Sequence, residues 1–166
     1  MDEAHRIVEL IARLRRYARA LVSDRARADD LVQDTLERAW NKFHLWRPGS
    51  DLRAWLFTVM HNVHVNQVRA SRDHAVLDDE GPEMAVAAVQ GASLEIRDLE
   101  RALAVLSPEQ REVLLLIALE DMSYAEVAAM LDIPIGTVMS RLSRAREKLR
   151  ALMHGTPMNV RLQVVK

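Results

Sequence analysis

Residues Met122 to Arg146 read MSYAEVAAMLDIPIGTVMSRLSRAR, and this stretch decides the fold of the C-terminal half. Ser123 and Glu126 form an S-x-x-E pair that predicts a capping box, and Val127, Ala128 and Leu131 give the short helix behind it an apolar face. Asp132, Ile133 and Pro134 then break that helix. Proline suits the start of the next one, because it lacks the N–H that a first-turn residue could not bond within the helix. Ala125, Ala128 and Ala129 are small enough to let the two helices cross closely. At about 100° per residue, Val138, Leu142, Ala145 and Leu149 fall on one stripe, which must face a core. Ser140, Ser143 and Arg144 lie opposite that stripe, while Arg141, Arg146, Lys148 and Arg150 flank it. The reading is helix, tight turn, helix, with a second helix shaped to enter a DNA major groove.

Charge supports it. From Ile135 to Arg150 five basic side chains stand against Glu147 alone, a net +4 that suits a phosphate-walled groove. The whole chain of 166 residues carries only −1, but the charge is segregated. Residues 1–74 hold 13 basic against 10 acidic side chains, residues 75–134 hold 3 against 13, and residues 135–166 hold 7 against 1. Screening over roughly 8 Å at physiological salt keeps the acidic middle from cancelling the basic ends. The absence of cysteine excludes disulfides, cysteine-ligated zinc and thiol redox chemistry. MDEAHRIVEL lacks the basic then apolar layout of a signal peptide, and no apolar run reaches membrane-spanning length, so a cytoplasmic protein is expected.

Helical periodicity also fills the first seventy or so residues. Leu10, Leu14, Tyr17 and Leu21 form one stripe. Leu31, Leu36, Trp40 and Phe43 suggest a second helix, with Asp29 and Asp30 at its start, and Leu52, Trp55, Leu56, Val59, Met60 and Val63 a third that ends near Arg72. Arg47 to Asp51 is a loop, with Ser50 or Asp51 as the next N-cap. The three tryptophans read as core, Trp46 being the one more open to another role because it lies near that loop. Between Asp73 and Ser93 the periodicity fades, and Asp78, Asp79 and Glu80 beside Gly81, Pro82 and Gly91 predict a flexible acidic linker, with a short helix around Glu83 to Val89. Leu94, Leu99, Leu103 and Leu106 mark a further helix, and Ser107, Pro108 and Gln110 open another through a capping box. The expected architecture is all-α: two small helical domains, 1–72 and 94–153, joined by the linker 73–93 and followed by a tail 154–166.

Four motifs now stand in series: DDLVQDTLERAW, DLRAWLFTVMHNVHVNQVR, LSPEQREVLLL and GTVMSRLSRAR. In this order and spacing they resemble the extracytoplasmic-function sigma factors of bacterial RNA polymerase over roughly residues 10–152. That resemblance implies a transcription initiation factor whose first domain binds core polymerase and melts the minus-ten element while the second reads the minus-thirty-five element. Asp30, Gln33, Asp34 and Glu37 would offer acceptors to a basic surface of the polymerase. The loop at about Pro48 to Leu52, Ser50 included, would capture a flipped-out base. Asn62 and Asn66 would bond base edges, with Arg53, Arg69 and Arg72 on phosphates. Thr137, Met139, Ser140, Arg141, Ser143 and Arg144 would meet the minus-thirty-five element. Met139 departs from the family pattern, where many relatives carry Lys or Arg; it can touch a thymine methyl but cannot grip guanine bidentately. An anti-sigma factor, often membrane-anchored, would hold such a protein inactive.

Two other readings compete. A stand-alone helix-turn-helix regulator would explain residues 107–152 but neither DDLVQDTLERAW nor the asparagine-bearing helix. An enzyme is disfavoured, since no nucleophile, phosphate loop or paired carboxylates appear. His61 and His64, with His44, lack the carboxylate or cysteine that would complete a recognisable metal spacing. The expected partners are core RNA polymerase, promoter DNA and an anti-sigma factor, with no cofactor, metal, small-molecule substrate or membrane insertion.

Overall fold

The computed structural model describes residues 2–75 and 94–154, and every regular element among them is helical. In chain order these are α1 (Glu3–Leu21), α2 (Arg25–Lys42), a 3-10 turn (Phe43–Leu45), α3 (Leu52–Ala75), α4 (Leu94–Val105), α5 (Pro108–Ala118), α6 (Tyr124–Leu131) and α7 (Ile135–His154). Most of the expected linker (residues 76–93), its short helix at Glu83 to Val89 and the tail beyond His154 lie outside the described residues.

Helices α1, α2 and α3 pack together as the N-terminal half. Leu14, Tyr17 and Leu21 of α1 are buried as their spacing predicts, and the Tyr17 ring meets Phe57 edge-on with centroids 5.1 Å apart. Helix α2 starts a turn before Asp29, because the Asp24 carboxylate accepts from the Ala26 amide at 2.9 Å and so caps it. Its buried stripe is Ala28, Leu31, Val32, Thr35 and Ala39, which corrects the expected one. Trp40 follows Ala39 by 100° and is 71% exposed, whereas Trp46 is buried and stacks on Phe43 at 5.6 Å. Trp55 is partly buried against the same ring. Helix α3 runs through Ala75, past the boundary expected at 72.

In the C-terminal half both predicted capping boxes form, Ser107 with Gln110 and Ser123 with Glu126. Ala102 and Ala104 of α4 and Leu106 just past its end are buried and Leu103 packs against the core, so the expected leucine stripe holds at Leu103 and Leu106, whereas Leu99 is 40% exposed. Ala125 and Ala129 of α6 are also exposed, so the fully buried Val127 rather than a row of alanines carries its packing. The halves are in contact: α1 lies against α5, α3 lies against α6, and one apolar cluster continues from the first half into the second.

Candidate nucleic-acid interface

Local geometry aims α7. The Ser123 hydroxyl accepts from the Glu126 amide at 3.1 Å while the Glu126 carboxylate accepts from the Ser123 amide at 2.8 Å, which fixes the start of α6. Asp132 ends it in the left-handed region at φ 54°, a conformation that aspartate tolerates better than most residues. The Pro134 carbonyl then accepts from the Thr137 and Val138 amides at 2.9 and 3.2 Å, turning the chain into α7. Val138, Leu142 and Ala145 are sealed in the core, and Leu149 is packed against it. Met139, Ser140, Ser143 and Arg144 therefore face solvent, with Thr137 and Arg141 half-buried at the edges.

The second candidate surface is α3 and the loop before it. Gly49 adopts φ +90°, Ser50 donates its hydroxyl to the Arg47 carbonyl at 2.7 Å, and Asp51 caps α3 by accepting from the Ala54 amide at 3.2 Å. Asn62, Asn66 and Arg69, spaced four and three apart, share one exposed face. Arg53 does not join them. It precedes Asn62 by nine residues, half a revolution on the wheel, and its Nη1 donates instead to the Glu120 carbonyl of the C-terminal half at 2.8 Å.

On α2, Asp30, Gln33, Asp34 and Glu37 are all exposed, and Gln67 of α3 donates to the Asp34 carboxylate at 2.7 Å. Gln33 and Glu37 border a groove of about 780 Å³ that Arg15 and Arg19 line from α1. Trp40, absent from the predicted set, extends this surface by one turn beyond Glu37.

Sequence reasoning also missed the polar junction between the halves. The Glu120 side chain is wholly buried; its Oε2 receives Arg13 Nε at 3.1 Å, and Arg16 stands 3.6 Å from Oε1. Burial lifts the Glu120 carboxyl above the ordinary range against the opposing pull of Arg13 and Arg16. His61 of α3 pairs with Glu112 of α5. Burial, followed by Glu112 and Glu120, pushes the neighbouring Tyr17 phenol well up. His64 lies beside this pair, and burial holds its imidazole below the ordinary value, with His61 and Arg111 adding to the shift and Glu112 opposing it. Among the described residues no three histidine or carboxylate side chains converge as a cation site.

Among the described residues every regular element is a helix, and a tight turn that sets a basic helix with its polar face outward defines a DNA-binding protein of the helix-turn-helix kind. Comparison with known proteins sharpens the class. Residues 7–61 match the family described as the Sigma2 domain of PhyR, and residues 96–149 match Sigma-70, region 4. The sigma factor EcfG of Rhodopseudomonas palustris is 38% identical over 151 residues, covering 89% of this chain and 83% of the relative. The solved sigma factor RpoE of Bartonella quintana, bound to the anti-sigma factor NepR, superposes with a TM-score of 0.82 at 38% identity over 92% and 96% of the two chains. CnrH, solved with the cytosolic domain of CnrY, gives 0.68 at 29% identity over 92% and 87%. The chain belongs to the extracytoplasmic-function sigma factors, which direct RNA polymerase to promoters.

Proposed function

We propose that α7 reads the minus-thirty-five element through Thr137, Met139, Ser140, Arg141, Ser143 and Arg144, and that the exposed face of α3 with Ser50 holds the melted minus-ten strand through Asn62, Asn66 and Arg69. Asp30, Gln33, Asp34 and Glu37 hold core polymerase. Arg53 can take part only when it is parted from Glu120. The observation that carries this reading is the orientation of α7, which buries Val138, Leu142 and Ala145 and turns Ser140, Ser143 and Arg144 outward. The role is non-catalytic and belongs where polymerase works, in the cytoplasm; no described helix is long and apolar enough to cross a membrane. The related sigma factor RpoE is solved with the anti-sigma factor NepR, and CnrH with the cytosolic domain of CnrY, which supports control of this chain by an anti-sigma factor, with the membrane-anchored kind as one form.

Run-off transcription with bacterial core polymerase on fragments of the source genome tests it. Discrete transcripts that share two spaced elements are expected. Transcription equal to that of core polymerase alone would refute the reading.

A further inference from the structure

One cleft of about 260 Å³ gathers cations from two helices: Arg69 and Arg72 line it from α3, and Arg141 lines it from α7. Among the described residues none of these three arginines has an ion pair or a side-chain hydrogen bond. Glu109 and Glu112 of α5 border the same cleft, but the Glu112 carboxylate is taken up by His61, and neither glutamate is paired with any of the three. We propose that this cleft is a binding site for a compact polyanion of the diphosphate class, held by Arg69, Arg72 and Arg141.

The chemistry of the lining selects the ligand. A guanidinium stays charged at every physiological pH, and its planar fork of donors matches the oxygens of phosphate. Arg69 and Arg72 are three apart and so share one face of α3. An anion that meets both and also Arg141 has three forks to satisfy. A carboxylate offers two oxygens on one centre, whereas a diphosphate offers acceptors on two. Val65, Val68 and Leu131 add an apolar wall, beside which charged hydrogen bonds are stronger than in water. The volume is below the roughly 300–1,000 Å³ of sites that enclose a whole small molecule, so the phosphates enter and any nucleoside attached to them stays outside.

His64 lines this cleft too and reports on it. Burial holds its imidazole below the ordinary value against the pull of Glu112, with His61 and Arg111 adding to the shift. A negative ligand nearby favours the protonated ring and draws that value back up. Because the arginines come from both halves, a bound anion also ties α3 to α7. The site does not depend on the DNA contacts proposed for Arg69 and Arg141, and its test contains no DNA.

The full chain is titrated by calorimetry, at constant ionic strength, with inorganic diphosphate, ADP and GDP in turn. We expect one anion per chain. Arg72→Gln and Arg141→Gln should each weaken binding by about tenfold or more. Arg144→Gln should leave it unchanged, since Arg144 is exposed on α7 and does not line the cleft. Circular dichroism checks that the variants stay helical. The parent alone supplies a second readout: the NMR titration midpoint of the His64 imidazole should rise when inorganic diphosphate is added. Tighter binding of ADP or GDP than of inorganic diphosphate would identify a nucleotide as the source of the phosphates, and equal or weaker binding the free anion. Failure of all three probes to bind overturns the site. So does an equal loss in Arg144→Gln, which would show attraction by net charge, or no loss in the two cleft variants. A His64 midpoint that diphosphate leaves unmoved overturns it as well.

Discussion

Arg111 of α5 donates from Nη1 to the carbonyl oxygen of Leu21, the last residue of α1, at 2.9 Å. The same guanidinium serves the Leu103, Ala104 and Leu106 carbonyls at 2.7, 3.1 and 3.2 Å. Carbonyls at helix C-termini have no partner within the helix, and a cation there also meets the negative end of the dipole. Arg111 thus closes α1 and α4 at once, although burial draws its guanidinium below the ordinary range. Arg111→Lys keeps the charge but loses the fork, and should cost about 2–3 kcal/mol in urea unfolding. A midpoint equal to the parent's would show that water replaces these bonds without loss.

On α7, Arg144 is exposed opposite the buried stripe, while Arg146 is half-buried beside it. Arg144→Ala should cost roughly 1–3 kcal/mol of promoter binding and relax preference at one minus-thirty-five position. Arg146→Ala should instead weaken all sequences alike and lower the salt slope by about one. Binding to single-base promoter variants at two salt concentrations separates them. A uniform loss for Arg144→Ala would mean that this helix meets DNA by another face.

Asn62 and Asn66 are exposed, so replacing both by alanine should leave thermal unfolding within about 0.5 kcal/mol of the parent. Open-complex formation, followed by permanganate reactivity of thymines at the minus-ten element, should fall sharply. Recovery on a template already mismatched there would tie the loss to melting, whereas full reactivity on ordinary duplex would remove both residues from that role.

Trp40 offers a large apolar surface one turn beyond Glu37. Anchoring aromatic side chains at protein interfaces contribute about 2 kcal/mol or more when truncated. Trp40→Ala should therefore weaken core polymerase binding by roughly thirtyfold at unchanged helix content. Equal affinity in a titration of labelled protein would leave Trp40 outside that interface.

His64 has a folded-state pKa below its unfolded value of about 6.5, chiefly because it is buried. The unfolded chain then takes up the proton first, so the stability tied to neutral His64 is present above about pH 6.5 and is lost as pH falls toward the folded value. His64→Gln should make stability fall less steeply between about pH 7 and 5. Parallel pH profiles for parent and variant would assign the slope elsewhere.

The parts legible in the sequence were the local ones. Ser123 with Glu126, Ser107 with Gln110 and the 138–142–145 stripe each depend on residues within a few turns, and each formed as read. Helix α2 misled because the bulky residues Leu36, Trp40 and Phe43 drew attention from a stripe completed by Ala28, Thr35 and Ala39. The junction was beyond reach for another reason. Glu120 meets Arg13 across 107 positions and Arg53 across 67, and no periodicity links such partners. The one available signal was Glu120 itself, an acid closing the apolar run from Val113 to Leu119.

The sealed stripe of α7 has a consequence for how promoter preference can drift. One residue inserted between Val138 and Met139 would turn everything after it by about 100°, carrying Leu142 and Ala145 out of the core and polar neighbours into it. Under the proposed role of α7, related proteins would change what it recognises by exchanging its outward side chains and not by an insertion within it. On the same proposal the outward positions 139, 140, 143 and 144, aligned without gaps, would form an index for sorting sigma factors of this kind by the DNA they prefer.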